Sequence, residues 1–528
     1  MEQPAPPATA SSTYDEVPYA AAAFAQSHPD RLATLARLLG LTPPALDTCR
    51  VLELGCASGD NVIPMAVTMP NATFVGVDLS LRQIEQGRQT ANALKLPNIE
   101  LRHEDIADID DSYGRFDYII AHGVYSWVPE PVREKLLAIC HDNLAGNGVA
   151  YVSYNTLPGW RMRGMIRDMM VYHSRQFQGP RQQIEQARAL LDFLAQSVPA
   201  NTPYGMMLKQ ELDGIRTQPD AYIYHDHLEV VNEPVYFHEF EAAARRHGLQ
   251  YLADVEFSTM LVTNFPPPVA ETLMRLGTDL VRAEQYMDFM RNRMFRQSLL
   301  VRDESTINRK IQGGPMYGFQ IASRGRSESA RPSLAAGVVE TYIGDKGMLK
   351  AGAPISKAAM LVLGGQWPVS IPFERLVEEA RAKLGATAGD DKARPDDAVV
   401  LGGDMLQAYS IEAVELHVAS PQMCLAPSTR PVASPLARLQ AARGAVVTSL
   451  RHEPTRIDGF CQRLLPLLDG TRDRAMLVEA LVREAAAARP ETPPHGDQVA
   501  SASSSRETMQ RGVESALANL GRAALLIE

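Results

Sequence analysis

The feature that most constrains this chain is an alternation, between Arg50 and Asn155, of short apolar runs with helical patterns. The runs are RVLELG, ATFVGVD, NIELRHED, FDYIIAHG and GVAYVSYN. Each is continuous, of strand length and rich in β-branched residues, so each reads as a strand buried on both faces. Such strands, separated by amphipathic helices, stack as βαβ units around a parallel sheet, which makes the fold α/β and Rossmann-like.

That sheet cannot account for the whole chain, because 528 residues exceed one compact core. Residues 1–12 are rich in Pro, Ala and Ser and are expected to be disordered. The sheet domain is expected over 13–165 plus about 234–265, where YFHEFEAAARRHGLQYLADVEF gives a helix, a stop at Gly248 and a strand returning to the sheet. Between these parts, 166–233 reads as a helical insertion; RQQIEQARALLDFLAQS places Ile184, Leu190, Leu191 and Leu194 on one face. Residues 266–312 read as a helical segment, followed by a Gly- and Ser-rich connector from Gly313 to Arg331. Two further domains are expected over 331–427, where SKAAMLVLGGQWPVSIPFERLVEEARAKLG reads as two short helices joined by a Pro-containing turn, and over 428–528, the second interrupted by a low-complexity loop, 485–508, expected to be disordered.

Composition narrows the chemistry. With 52 basic and 62 acidic residues the net charge is −10, which disfavours a nucleic-acid partner. The five cysteines, Cys49, Cys56, Cys140, Cys424 and Cys461, form no C-x-x-C pair, so no metal site is expected. The chain shows no apolar run of about 18 residues, so no membrane insertion is expected. MEQPAPPATASS lacks the basic and apolar regions of a signal peptide, and the expected compartment is the cytoplasm.

The most specific stretch is Val51-Leu-Glu-Leu-Gly-Cys-Ala-Ser-Gly-Asp-Asn61. A buried strand enters a Gly-rich turn through Gly55, Ala57 and Gly59, and a helix opens at about Asn61 with Pro64 in its first turn. A dinucleotide fingerprint needs glycine where Asp60 stands. An acid ending the first strand, Glu53, suits a cation and is costly beside a diphosphate. The turn therefore reads as a site for S-adenosylmethionine (SAM), which carries an amino group and a sulfonium. Downstream residues follow in order. Asp78-Leu79 ends the second strand, where two carboxylate oxygens can accept from both ribose hydroxyls. Asp105-Ile106 offers an acceptor for the adenine amino group and an apolar face for its ring. His122-Gly-Val-Tyr-Ser-Trp-Val-Pro129 follows the fourth strand and lines the methyl-donor end. Ala57 is tolerable in such a turn if its φ is negative.

These stretches, with YDEVPY (14–19), VSYNTLPGW (152–160), YHDHLEVVNEPVYFHEF (224–240) and QYMDFMRNRMFRQSLLV (285–301), resemble the class I SAM-dependent methyltransferases that carry a methyltransferase regulatory domain, typified by bacterial outer-membrane-protein lysine methyltransferases. The resemblance implies winged-helix-like domains over 331–427 and 428–528 and methyl transfer to lysine ε-amines of a protein substrate. The acceptor pocket is then expected from Tyr125, Trp127, Tyr154, Asn155 and Trp160, with His122 as a proton acceptor or a residue positioning SAM. Tyr14 and Tyr19 are expected to form an N-terminal lid. Two other readings stay open: a small-molecule N- or O-methyltransferase whose accessory domains make a homo-oligomer, and a SAM-responsive winged-helix regulator. Against the regulator, the candidate recognition helices FERLVEEARAKLG and DRAMLVEALVREAA carry too many acids to lie beside phosphates.

Overall fold

The computed structural model describes residues 13–19, 22–311, 313–344, 347–385, 396–487 and 498–528, so the expected disordered segment 1–12 lies outside the described residues. The chain forms two compact units, one of Met1–Ala22, Leu41–Ile63 and Asn71–Ile307, the other of Ala23–Gly40, Pro64–Pro70 and Asn308–Glu528.

The first unit is built on a seven-stranded sheet. All five expected strands are present: β1 (Arg50–Leu54), β2 (Thr73–Asp78), β3 (Ile99–His103), β4 (Phe116–Ala121) and β5 (Leu144–Asn155). The expected return strand is β6 (Leu249–Asp254), and β7 (Phe295–Arg302) completes the order β3-β2-β1-β4-β5-β7-β6. Strands β1 to β5 pair in parallel, whereas β7 runs antiparallel to both β5 and β6. Because β1 is flanked by β2 on one side and β4 on the other, the chain order reverses there. The carboxyl ends of β1 and β4 thus open the crevice in which such sheets bind ligands.

One face of this sheet packs Leu52, Leu54, Val77, Ile119, Ala121, Ala150, Val152 and Tyr154 against Leu136, Leu137 and Ile139 of the helix Glu130–Asp142 and Phe240, Ala243 and Ala244 of the helix Phe237–Arg246. The expected helical insertion forms as helices Trp160–Ser174, Pro180–Ser197 and Pro203–Ile215. Ile184 and Leu191 join Ile166, Met170, Leu208 and Leu212 in a separate core, with Leu194 packed against it.

The expected helical segment 266–312 needs correction. Helices Pro267–Leu276 and Leu280–Arg291 form, but Asn292 takes the left-handed conformation at φ 49° and ends the second. The apolar Leu299-Leu300-Val301 then pairs on both edges as β7. A strand with neighbours on both edges satisfies every backbone group, and this outweighs the helix-forming Met and Arg residues around it.

In the second unit the expected Gly/Ser connector is partly ordered into a separate three-stranded sheet, in which Gln320–Ala322 pairs antiparallel with both Ile371–Pro372 and Glu415–His417. Helices Pro354–Gln366 and Phe373–Lys383 flank the Pro368 turn as expected, and a third, Asp397–Ser410, follows. The C-terminal core joins Leu464, Leu465, Leu468, Leu477, Leu481, Val513, Leu517 and Leu520. The expected disordered loop 485–508 also needs correction. Residues 488–497 lie outside the described residues, but from Gln498 the chain is a helix continuing to Arg522. Its inward face, Val513, Ala516, Leu517 and Leu520, supplies the apolar anchor that an Ala/Ser-rich stretch lacks by itself.

Candidate functional site

The turn after β1 is held by its neighbour strand. The N–H groups of Gly55 and Cys56 both donate to the Val77 carbonyl, at 2.8 and 3.0 Å. Gly55 has φ +72°, and a Cβ there would meet Val124 Cγ2 at 2.6 Å, so only glycine fits. Ala57 departs from expectation: its φ is +50°, not negative. A methyl group in that conformation costs about 1–2 kcal/mol. The backbone is kept there because the Ala57 N–H donates to Asp78 Oδ2 at 2.8 Å. The helix opens at Val62, one residue beyond Asn61.

Glu53 is 3% exposed, and its Oε1 accepts from Asn61 Nδ2 at 2.6 Å. Its Oε2 has no hydrogen-bond partner among the described residues. Burial, with Asp78 and Asp60 nearby and only the Asn61 bond opposing, pushes the carboxyl up to about 8. A buried, unsatisfied acid is costly by itself, and an incoming ammonium group resolves it. Asp78 uses one oxygen for Ala57 and the other for the Ser80 N–H at 2.8 Å, leaving one lone pair on each for a sugar hydroxyl. Burial raises its pKa as well. Leu79 is 57% exposed although apolar, and Ile106 is half-buried. Asp105 caps the turn Ile106–Asp108 with one oxygen accepting from the Ala107 N–H, and the carboxylate is otherwise exposed. The donor set and the orphaned Glu53 oxygen fit an amino-acid nucleoside.

At the end of β4, His122 Nδ1 lies 2.8 Å from the Tyr151 hydroxyl, which donates to Gln297 Oε1 at 3.2 Å. The 2.8 Å contact and the stacking of the two rings at 5.8 Å fix the orientation of the imidazole. Burial holds the imidazole down to about 4, so it is neutral at pH 7. Asn155 is 3% exposed; its N–H donates to Ser126 Oγ at 2.9 Å, while its Nδ2 has no hydrogen-bond partner among the described residues.

The expected pocket does not assemble as a whole. Side chains alternate along β5, so Tyr151, Ser153 and Asn155 share one face while Ala150, Val152 and Tyr154 face the core. Tyr154 stacks on Phe240 at 4.1 Å and its hydroxyl is satisfied by Ser298 Oγ at 3.0 Å. Tyr125 is 4% exposed and packs edge-on against Phe240; burial pushes its phenol up to about 12. These two tyrosines are core residues rather than acceptor contacts. Trp127 and Trp160 do meet, edge to face at 6.4 Å, and Trp160 Nε1 donates to Asn232 Oδ1 at 2.7 Å. Tyr19 packs against His225 at 5.7 Å and hydrogen-bonds Asp226. The Tyr14 side chain lies outside the described residues, though neighbouring Asp15 binds Ser80 Oγ at 2.6 Å.

Sequence reasoning missed Tyr151, Asn232 and Ser80. The first was signalled by the polar parity of Tyr151, Ser153 and Asn155 along β5; nothing local marks the other two.

Three family models match the chain: a methyltransferase domain over 51–148, a predicted methyltransferase regulatory domain over 219–302 and the PKMT C-terminal winged helix domain over 429–525. The uncharacterized protein RP789 of Rickettsia prowazekii is 41% identical over 478 residues, 89% of this chain and 85% of its own. The structure of PKMT2 from Rickettsia typhi in complex with AdoHcy superposes with a TM-score of 0.84 at 32% identity, covering 97% of this chain and 100% of that one. The chain belongs to the class I SAM-dependent methyltransferases that carry a methyltransferase regulatory domain and a PKMT winged-helix domain.

Proposed function

We propose that the protein transfers methyl groups from SAM to lysine ε-amines of a protein substrate. The observation that carries this is the extent of the likeness to PKMT2. A shared cofactor alone would confine the similarity to the sheet, but it covers 97% of the chain. The winged helix it includes is one typical of PKMTs.

Bound SAM supplies an activated methyl group whose departure leaves a neutral thioether. The protein's task is alignment, exclusion of water and removal of a proton from the acceptor, since an ammonium of pKa near 10.4 is almost wholly charged at pH 7. Glu53 holds the cofactor's amino group through Oε2, with Asn61 fixing the carboxylate. Asp78 holds the ribose, Asp105 the adenine amino group, and Leu79 and Ile106 the ring. The His122–Tyr151–Gln297 chain positions the methyl-donor end with a neutral imidazole. Asn155 orients the acceptor amine, and Trp127 and Trp160 wall its approach, with aromatic faces suited to a cation. Tyr19 belongs to the N-terminal lid, together with Tyr14.

The buried free thiols of Cys49, Cys56, Cys140 and Cys461 fit the cytoplasmic location we assign. Among the described residues no helix is long and apolar enough to cross a membrane. The acidic helices of the second unit leave no nucleic-acid partner in this reading. A homo-oligomer is compatible with it.

The test is to incubate the protein with isotopically labelled SAM and a bacterial lysate and locate the label by mass spectrometry. Label on lysine ε-nitrogen of polypeptides is expected. Label confined to small metabolites overturns the proposal.

A further inference from the structure

A lysine reaches the crevice as an ammonium ion, so the acceptor side needs a carboxylate that is neither neutralised nor committed elsewhere. Glu53 is bound to Asn61 on the cofactor side, Asp78 carries two backbone N–H groups, and Asp105 caps a turn. Glu233 is ion-paired with Arg133, and Glu229 faces His225 Nδ1 at 3.7 Å. Asp226 remains.

Asp226 sits on a π-helical turn, Ile223–Leu228, a wide turn that favours functional positions. The segment leaving this turn is stitched to the acceptor edge of the sheet. Asn232 Oδ1 accepts from Trp160 Nε1 at 2.7 Å, the Glu233 N–H donates to the Ser126 carbonyl at 2.8 Å, and the Val235 N–H donates to the Asn155 carbonyl at 3.2 Å. On the cofactor side, His225 Nε2 lies 2.5 Å from the Val17 carbonyl, and Asp15 of the same N-terminal segment holds Ser80, the neighbour of the ribose acid. The turn therefore stands between the two halves of the crevice.

Three groups favour the charged form of Asp226. From its own turn comes His225, from the N-terminal segment Tyr19, and from the helix Trp160–Ser174 comes Arg163. Tyr222, just before the turn, also lies within its field. Arg163 is engaged elsewhere: its Nε donates to Glu211 Oε1 at 3.1 Å, its NH1 to the Tyr222 hydroxyl at 3.2 Å, and its guanidinium lies over Trp160. The phenol of Tyr19 donates to Asp226 and steers the carboxylate.

The geometry points to Asp226 as the carboxylate that receives the acceptor's ε-ammonium and takes one of its protons. This rests on the lysine reading above. In the step, an Nζ–H bond breaks and an O–H bond forms on Asp226. The freed nitrogen lone pair then makes the bond to the methyl carbon, while the electrons of the carbon–sulfur bond pass to sulfur. Burial pushes the Asp226 carboxyl up to about 6, against the opposing effects of Arg163, His225 and Tyr19. It is thus ionised at pH 7 and more basic than an ordinary aspartate.

The experiment uses the full-length protein with AdoHcy bound and a lysine peptide that the wild-type protein methylates, beside the same peptide acetylated on that lysine. Fluorescence anisotropy should show wild-type preference for the free lysine falling at least about tenfold in Asp226→Asn, with AdoHcy affinity unchanged by calorimetry. Activity of the wild type should fall as pH drops through about 6, where the carboxyl gains its proton. Tyr19→Phe, which removes a donor to the ionised form, should move that midpoint upward, and Asp226→Glu should restore part of the preference. Undiminished lysine preference in Asp226→Asn together with an unmoved midpoint in Tyr19→Phe overturns the assignment while leaving lysine methylation intact. A wild type that labels no lysine removes the functional reading first and this one with it.

Discussion

The two halves of the crevice are built on different length scales. In the cofactor half the decisive bonds are local: Asn61 holds Glu53 across 8 residues, and Ala57 meets Asp78 across 21, one β-α-β step. In the acceptor half, Trp160 meets Asn232 across 72 residues and Thr156 meets the Val235 carbonyl across 79. The cofactor half is thus a property of one supersecondary motif, while the acceptor half exists only after the 223–236 segment has folded back against β4 and β5. A binding function common to many enzymes sits on the local half. In the proposed function, discrimination among acceptors sits on the half that can be rebuilt by changing an insertion.

If the halves are energetically separate, damage to one should spare the other. The largest effect is expected from Asp78→Ala, which removes the ribose acceptor and the partner that holds the Ala57 and Ser80 N–H groups. Affinity for AdoHcy should fall about a hundredfold by calorimetry, the equivalent of losing two charge-assisted hydrogen bonds. An unchanged dissociation constant would show that the ribose is held elsewhere. Next comes Asn155→Ala. Methylation should slow by about ten- to a hundredfold through lost alignment, with AdoHcy affinity unaltered within about twofold. If cofactor affinity drops in parallel, Asn155 belongs to the cofactor half and the division fails.

A smaller effect probes the cofactor half through pH. Glu53 holds its proton up to about pH 8 in the free protein, and the ammonium of the cofactor favours the ionised form. Binding below that pH must release the proton. Affinity should therefore rise with pH, by at most about tenfold per unit, and level off above 8. Calorimetry in buffers of different ionisation enthalpy should register close to one proton released at pH 7. No proton release would mean that Glu53 is already ionised, or does not meet the amino group.

Legibility followed the same division. Strands β1 to β5, the turn at Gly55 and the acids Glu53 and Asp78 could be read because their chemistry lies within a few residues of a recognisable strand-turn-helix. Strand β7 could not, because the Met- and Arg-rich lead-in reads as helix, and only the open edges of β5 and β6 make it a strand. The sign of φ at Ala57 depends on one hydrogen bond to Asp78, which composition does not reveal. Trp127 and Trp160 were found as a pair, but Asn232, which fixes Trp160, comes from a loop with no motif of its own. On β5, a run buried on both faces hides which parity faces the site. Tyr154 is therefore expected in the pocket, whereas Tyr151 is the β5 tyrosine beside His122.

That exchange of tyrosines makes the smallest and most discriminating prediction. Tyr154→Phe keeps the stack on Phe240 and loses only the hydroxyl contact with Ser298. Because the ring is 1% exposed, Ser298 gains no water in place of the lost partner, and the substitution should lower stability by about 1 kcal/mol in denaturant unfolding. Methylation rate and AdoHcy affinity should both stay at wild-type values, since the hydroxyl faces the helix side of the sheet rather than the crevice. A rate loss like that of Asn155→Ala, without loss of stability, would return Tyr154 to the acceptor. It would also mean that β5 presents both parities to the crevice, erasing the contrast between an apolar core face and the polar face of Tyr151, Ser153 and Asn155.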